Sequence, residues 1–319
     1  MYKIQLTFNE THKQNNTKQS VVTIGNYDGC HLGHMQLISQ VNDTANKKNL
    51  KRILVTFEPL PQEFFIEKKQ GIRRSRLGLI RDKCNLLYNN GNPLVDEIII
   101  LRFTENLAIY TPELFIKDIL INKLNMTDVI IGHDFKFGIN GSGNYLDFIQ
   151  YGIEVKIIEP YYIDTHRVSS SLIRTYANEN NLPMVYRYLG RNLCYTSRVV
   201  HGNHLGRKYG VPTINLCLGR NRPALCGIYA AYVYINNVRY NAVASIGRNP
   251  TIDDSNIYKL EAHLLDIDLD LYGFVATVEI LSFLRPEMKF DNLELLFKQI
   301  YADLDNTRLF FTKREKILL

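Results

Sequence analysis

The chain of 319 residues has no CxxC pair, and its five cysteines, Cys30, Cys84, Cys194, Cys217 and Cys226, are scattered. That usage argues against a disulfide framework or a paired-cysteine redox centre and suits thiols kept reduced in a cytosol. No apolar run approaches the length of a membrane span. The opening stretch MYKIQLTFNETHKQNNTKQS is too polar for a secretory signal. A cytoplasmic protein with no membrane partner is therefore expected. A large excess of either sign of charge is also missing, since 38 Lys and Arg against 32 Asp and Glu leave a net charge of only +6. Spread along the chain, that excess does not argue for nucleic acid, although it suits anionic substrates such as nucleotides. There is no internal repeat, no GxxxxGK[ST] phosphate loop and no convincing KMSKS loop. With 45% hydrophobic and 22% charged residues, the chain has globular composition and length for two domains.

The first half alternates β-rich runs with helical patterns. Strands are predicted at Ser20–Tyr27, Lys51–Phe57, Val95–Phe103, Thr127–Gly132 and Glu154–Glu159. Helical spacing covers Gly33–Lys47 and Thr111–Leu124, the latter with Thr111 as cap and Pro112 at its first position. This order predicts a parallel, doubly wound sheet whose ligand lies beyond the carboxyl ends of its strands. The pattern changes after Leu182-Pro183, so domains are expected at 1–182 and 183–319. In the second part Gly227–Ile235 and Tyr240–Ile246 flank an Asn236-Asn237 turn. Lys259–Ile267 and Phe274–Phe283 form a similar pair, and together they predict an antiparallel, barrel-like domain. A closing helix is expected, with Asp291 as cap, Glu294 completing a capping box, and Leu293, Leu296, Phe297 and Ile300 as its apolar stripe.

Two stretches carry chemistry. Gly25-Asn26-Tyr27-Asp28-Gly29-Cys30-His31-Leu32-Gly33-His34 links the first strand to the first helix. Its glycines allow a tight turn, and His31 and His34 are three residues apart, so both fall on one face of the first helical turn. A helix start adds unpaired N–H groups and a positive dipole end, so the place suits a phosphate. Two histidines near a turn are also ordinary polar side chains, and zinc would lack an obvious third ligand. Further on, Arg167-Val168-Ser169-Ser170-Ser171-Leu172-Ile173-Arg174 opens a helix with consecutive hydroxyls between two arginines. Phosphate binding and plain capping both account for it. The second stretch, HGNHLGRKYGVPTINL from His201 to Leu216, is rich in glycine and basic groups. A loop of that kind folds its backbone donors over phosphates, or is simply a turn.

These stretches resemble a known family. IGNYDGCHLGHMQLI is similar to the HxGH segment of nucleotidyltransferases, in the form found in bacterial bifunctional riboflavin kinase/FAD synthetases. Tyr27 and Cys30 stand where Phe and Val are usual. Phe57–Phe64 resembles the family's FxPxPxxFF-type loop. Gly132–Gly138 resembles its GxDFRFG motif, with Lys136 for Arg, and Arg167–Arg174 resembles R-[IV]-SST-x-[IV]-R, with Ser171 for Thr. HGNHLGRKYGVPTINL is similar to the riboflavin kinase run VxHGxxxGRxLGxPTANL, with Ile214 for Ala. Ala244–Thr251, Leu260–Asp266 and Leu284–Phe290 resemble the NIGxxPT, VExHLLDF and LRxExKF segments. The motifs fall in the family's order from about Val22 to Asp303.

The resemblance implies a Rossmann-like nucleotidyltransferase domain followed by an antiparallel β-barrel kinase domain, mixed α/β overall. It implies that riboflavin is phosphorylated to FMN and FMN adenylylated to FAD, with ATP as co-substrate and Mg2+ as cofactor. His31, His34, Ser170, Ser171 and Arg174 would hold ATP phosphates in the first domain. Arg167 would add charge there. Gly25, Tyr27, Asp28 and Gly33 would shape the site, and Asp134 would lie near the nucleotide or FMN. In the second domain Gly206, Arg207, Gly210, Pro212, Thr213 and Asn215 would bind ATP, with Thr213 and Asn215 at the metal. Glu261 would be the base, His263 a structural neighbour, and Arg285 and Phe290 would lie beside the flavin. An oligomer is compatible with all of this. The alternatives are one retained activity, an HxGH domain fused to an RNA-binding barrel, or a non-enzymatic flavin or nucleotide sensor.

Overall fold

The computed structural model describes residues 3–5, 18–71, 74–88, 92–202, 206, 209–219, 221–248, 258–267 and 269–318. The chain divides into two compact units. The first comprises 1–74 and 83–169, and the second 75–82 and 170–319. Residues 75–82 and 170–182, counted with the first domain by sequence, thus pack within the second unit.

The first unit is built on a six-stranded sheet. Its strands are β1 (Lys3–Gln5), β2 (Ser20–Ile24), β3 (Lys51–Glu58), β4 (Glu97–Arg102), β5 (Met126–Gly132) and β6 (Glu154–Ile158). The order is β1-β4-β3-β2-β5-β6, and every pairing is parallel. Five consecutive buried residues in β2 mark a central strand covered on both faces. On one face Val22, Val55 and Val129 pack with Phe115, Ile119 and Phe148. On the other, Val21 and Ile130 meet Val41 and Ala45 of helix α1 (Leu32–Lys48). The chain runs outward from β2 to β3 and β4, then returns to β5 on the other side of β2. The topological switch therefore lies between β2 and β5, where ligands bind in such sheets.

Some local details differ from the sequence reading. The stretch resembling a loop at Phe57–Phe64 enters helix α2 (Pro61–Gln70), where Pro61 occupies the first turn and Glu63 accepts the Leu60 N–H at 3.2 Å. Helices α3 (Ile80–Leu87) and α4 (Glu105–Ala108) follow. Thr111 does cap α5 (Pro112–Leu114), accepting the Leu114 N–H at 3.2 Å. Beyond Leu114 the chain winds as a π-helix over Phe115–Ile121, ending short of Leu124. Phe115, Ile116, Ile119 and Leu120 are all buried along it. Helix α6 (Tyr145–Gln150) and the short pair β7 (Tyr162–Ile163) and β8 (His166–Arg167) complete the unit.

In the second unit α7 (Ser170–Asn178) and α8 (Leu182–Leu189) precede a closed antiparallel barrel. Its strands are β9 (Cys194–Val200), β10 (Ile214–Cys217), β11 (Gly227–Ile235), β12 (Val238–Arg248), β13 (Tyr258–Leu264) and β14 (Val275–Arg285). They close in the order β10-β13-β12-β11-β14-β9. Asn236 and Asn237, both left-handed, join β11 to β12 as the two-residue turn the sequence predicts. Helix α9 (Leu293–Leu318) covers the outer face. Its cap is Asn292, whose Oδ1 accepts the Leu295 N–H at 2.9 Å. The helix thus starts one residue later than a cap at Asp291 implies, and Leu293 is exposed on the first turn. The buried stripe begins at Phe297 and continues through Leu304 and Phe311. Among the described residues no helix is long and apolar enough to cross a membrane.

Segment 75–82 is woven into this second unit. Arg76 donates its N–H to the Arg222 carbonyl at 2.8 Å and accepts from the Ala224 N–H at 2.8 Å. Asp82 accepts the N–H groups of Leu79 and Thr196, each at 2.6 Å. Burial outweighs those donors and pushes the Asp82 carboxyl from 3.8 up to about 7. The folded state then holds a proton that the unfolded chain has already released, so the contribution of Asp82 to stability is full below about pH 4 and is lost as pH rises towards 7. Urea unfolding followed across that range should show the decline, and Asp82→Asn should flatten it.

Candidate active sites in the two units

The first site grows from the carboxyl end of β2. Gly25 donates its N–H to the Val55 carbonyl at 3.0 Å, and the Tyr27 ring lies 3.1 Å from where a Cβ on Gly25 would stand. The loop then turns through left-handed Tyr27, Gly29 and Cys30. Tyr27 is buried against the sheet, its hydroxyl 2.5 Å from Thr23 Oγ1, and burial drives its phenol pKa upward. Asp28 is also buried. His31 ends the loop in extended conformation and caps α1, its Nδ1 accepting the His34 N–H at 3.3 Å. In the neutral ring that bond leaves the proton on Nε2. The His31 and His34 rings stack 3.7 Å apart, with Tyr27 4.9 Å from His34. A Cβ on Gly33 would stand 3.4 Å from the His31 ring, in ordinary van der Waals contact with it. The arrangement puts two imidazoles at a helix start, at the positive end of the helix dipole.

Asp134 follows β5, the neighbour of β2, so its loop leaves the same edge of the sheet. It pairs with Arg167 at 2.7 Å, with His133 3.7 Å away. Partial burial opposes ionisation, but Arg167 and His133 prevail and hold the carboxyl below its usual range. Ser170, Ser171 and Arg174 form a separate group on the first turns of α7. Arg174 is buried and donates to Ser171 Oγ at 3.2 Å. Sequence reasoning missed Lys83 and Thr56. The buried Lys83 ammonium donates to the Asn26 carbonyl at 2.7 Å and to Thr56 Oγ1 at 2.8 Å. A lysine in an amphipathic stretch looks solvent-facing, so no signal pointed to it.

The second site is a cavity of about 330 Å³ on the outer face of the barrel, under α9. Thr213, Ser245, Glu261, Arg285 and Phe290 line it. Strand register explains the grouping, because Glu261 on β13 faces Asn215 on β10 and Ser245 on β12. Side chains directly opposite in neighbouring strands share a face. Burial raises the Glu261 carboxyl pKa, only partly countered by Lys259. Its carboxylate accepts no hydrogen bond among the described residues.

The loop before β10 is held close to this wall. Gly206 accepts the N–H groups of Tyr209 and Val211, and a Cβ on Gly206 would sit 2.2 Å from the Val211 carbonyl oxygen. Gly210 turns left-handed. His263 Nδ1 lies 2.6 Å from the Pro212 carbonyl, which agrees with a structural part for that histidine. The Asn215 carboxamide fills the space a Cβ on Gly202 would need, 2.3 Å away. Arg207 lies outside the described residues, as does the end of the Ala244–Thr251 segment.

Arg285 and Asp303 form a buried, forked pair, with Nη2 to Oδ2 at 2.7 Å and Nε to both carboxylate oxygens at 2.9 and 3.0 Å. The guanidinium also stands 6.0 Å from the Phe290 ring centre. Asp303 was not singled out by sequence reasoning. The available signal was an acid set among the apolar positions of α9. Among the described residues no cluster of three His, Cys, Asp or Glu side chains could hold a metal ion. Thr213 lines the cavity, and Asn215 stands opposite Glu261 in the strand register.

Comparison with known proteins agrees with both halves. The FAD synthetase family model matches residues 13–172 and the riboflavin kinase family model residues 189–311. The chain is 35% identical over 299 residues to a bifunctional riboflavin kinase/FMN adenylyltransferase of Buchnera aphidicola, covering 92% of this chain and 94% of that protein. It is 34% identical over 306 residues to the enzyme of the same description from Haemophilus influenzae, covering 94% and 97%. A crystal structure described as a macrolide-efflux protein from Streptococcus pneumoniae aligns over 95% of this chain and 99% of that one, at 28% identity and a TM-score of 0.73. That description stays with that protein. On the two family matches and the relatives spanning nearly its whole length, this chain belongs to the bifunctional riboflavin kinase/FMN adenylyltransferase family.

Proposed function

We propose that the chain phosphorylates riboflavin to FMN with ATP and then adenylylates FMN to FAD with release of pyrophosphate. The carrying observation is Glu261, a half-buried carboxylate of raised pKa on the wall of a cavity that also holds Thr213, Arg285 and Phe290. In the kinase step Glu261 accepts the proton of the riboflavin primary hydroxyl as its oxygen attacks the γ-phosphorus, and ADP leaves. Phe290 and the apolar wall receive the flavin ring, and Asp303 holds Arg285 beside it. The loop carrying Gly206, Arg207, Gly210 and Pro212 offers backbone donors and charge to the phosphates. Mg2+ fits Thr213 and Asn215, whose hydroxyl and amide oxygens are hard donors, and the amide is packed against Gly202. When bound it neutralises phosphate charge.

In the adenylylation step an FMN phosphate oxygen attacks the α-phosphorus of ATP and pyrophosphate leaves. No protein nucleophile is required, because the attacking phosphate is already ionised. His31 and His34 stabilise charge on the phosphates, with Arg167 as a further donor. Gly25, Tyr27, Asp28 and Gly33 shape the turn, and Asp134 orients Arg167 through their ion pair. The activities are assigned to residues 1–182 and 183–319, a division falling between the two family matches. Substrates are small molecules, neither nucleic acid nor membrane takes part, and a cytoplasmic location suits the scattered free thiols.

Incubation with riboflavin, ATP and Mg2+ should give FMN and then FAD, followed over time by chromatography. FMN alone, or FAD only from supplied FMN, would reduce the assignment to one activity. Glu261→Ala should abolish FMN formation while supplied FMN is still converted to FAD. The double variant His31→Ala, His34→Ala should do the reverse, and normal FAD formation by it would discard the phosphate-stabilising role. A base must be ionised, so kcat/KM for riboflavin should fall on acidification through a pKa above the ordinary carboxylate value of about 4.3. A pH profile measured on riboflavin phosphorylation checks this, and a limb at or below that ordinary value would remove Glu261 as the base.

A further inference from the structure

We propose that Lys83 is a positioning residue for adenylylation, its ammonium gripping the Asn26 carbonyl and thereby setting where His31 and His34 stand. This role rests on the assignment of FMN adenylylation to the first unit. Lys83 is only 8% exposed on α3. Its Nζ donates to the Asn26 carbonyl at 2.7 Å and to Thr56 Oγ1 at 2.8 Å, and Thr56 Oγ1 itself donates to the same carbonyl at 3.2 Å. Thr56 belongs to β3, whose parallel register with β2 and β4 is fixed through the sheet. Lysine and threonine together therefore tie the first turn of the loop to a rigid strand.

The loop needs such a tie. Between Asn26 and His31 the backbone adopts positive φ at Tyr27 (47°), Gly29 (75°) and Cys30 (42°). For residues other than glycine that conformation is strained, and it persists only where the surroundings over-determine it. Withdrawing an ammonium from water is costly as well, and an apolar side chain would fill the same space without that cost. Charge-assisted bonds to a carbonyl and a hydroxyl offset the burial and hold the carbonyl more tightly than a neutral donor would. Downstream, the stacking of His31 on His34 at 3.7 Å depends on where this loop delivers His31 to the helix start. Displacing reacting groups by about 1 Å costs on the order of a hundredfold in rate, so a loosened loop acts on turnover rather than on fold.

The test uses the full chain, whose riboflavin phosphorylation serves as an internal control for folding. Lys83→Met, which keeps length and apolar volume, should lower kcat for FMN adenylylation by about tenfold to a hundredfold and leave phosphorylation within about twofold. Lys83→Arg should recover most of the loss. Thr56→Val should lose less, and its effect should largely disappear when combined with Lys83→Met, since the two share one network. The imidazole proton resonances of His31 and His34 should shift in Lys83→Met, with assignments taken from the single histidine variants. Wild-type adenylylation by Lys83→Met, or unmoved histidine resonances, would overturn the role. Equal loss of both activities, with Lys83→Arg and Thr56→Val unaffected, would assign Lys83 to folding and also overturn it. Wild-type protein that makes no FAD from FMN and ATP would sink the underlying activity, and this role with it.

Discussion

A charge withdrawn from water must find partners or change its protonation, and the residues at both candidate sites are arranged under that constraint. Glu261 accepts a raised pKa in a largely apolar wall, which suits the base proposed for it. Arg285 escapes the same penalty through its forked pair with Asp303. Lys83 meets a carbonyl and a hydroxyl beneath the histidine loop. Fixed charges of this kind suit phosphoryl and nucleotidyl transfer, where the protein mainly positions groups and stabilises developing charge.

The two units assemble their sites by different means. In the parallel sheet, loops after β2 and β5 leave the same edge because the chain reverses its direction of strand addition there. Residues more than a hundred positions apart, such as His31 and Asp134, are thereby carried to one side of the sheet. In the barrel, lateral register aligns Asn215, Glu261 and Ser245 across three antiparallel strands. Helix α9 lies over β11, β12 and β14 and closes one side of the cavity that Glu261 and Ser245 line. Phe297, Leu304 and Phe311 hold the helix down, and Asp303 in the same stripe reaches Arg285.

Much of this was legible as pattern. Gly227–Ile235, the Asn236-Asn237 turn, the α1 helix and the Thr111 cap follow from periodicity and turn chemistry, which act over a few residues. The errors were also local. Asn292 rather than Asp291 caps α9, because either side chain can fill that position and backbone direction decides between them. The π-helical winding of Phe115–Ile121 is not encoded in hydrophobic spacing, since Phe115, Ile116, Ile119 and Leu120 would share one face of an ordinary helix as well.

The sequence by itself determined the succession of strand, helix and turn, and the chemical identity of the groups at each strand end. Hydrophobic period and hydrogen-bonding side chains are properties of short segments, so they can be read without coordinates. Only the tertiary structure decided that Lys83 and Thr56 support the Asn26 carbonyl, that Asp303 holds Arg285, and that residues 75–82 belong with the barrel. Those partnerships join residues distant along the chain, and their strength comes from shared burial, which exists only after folding has excluded water.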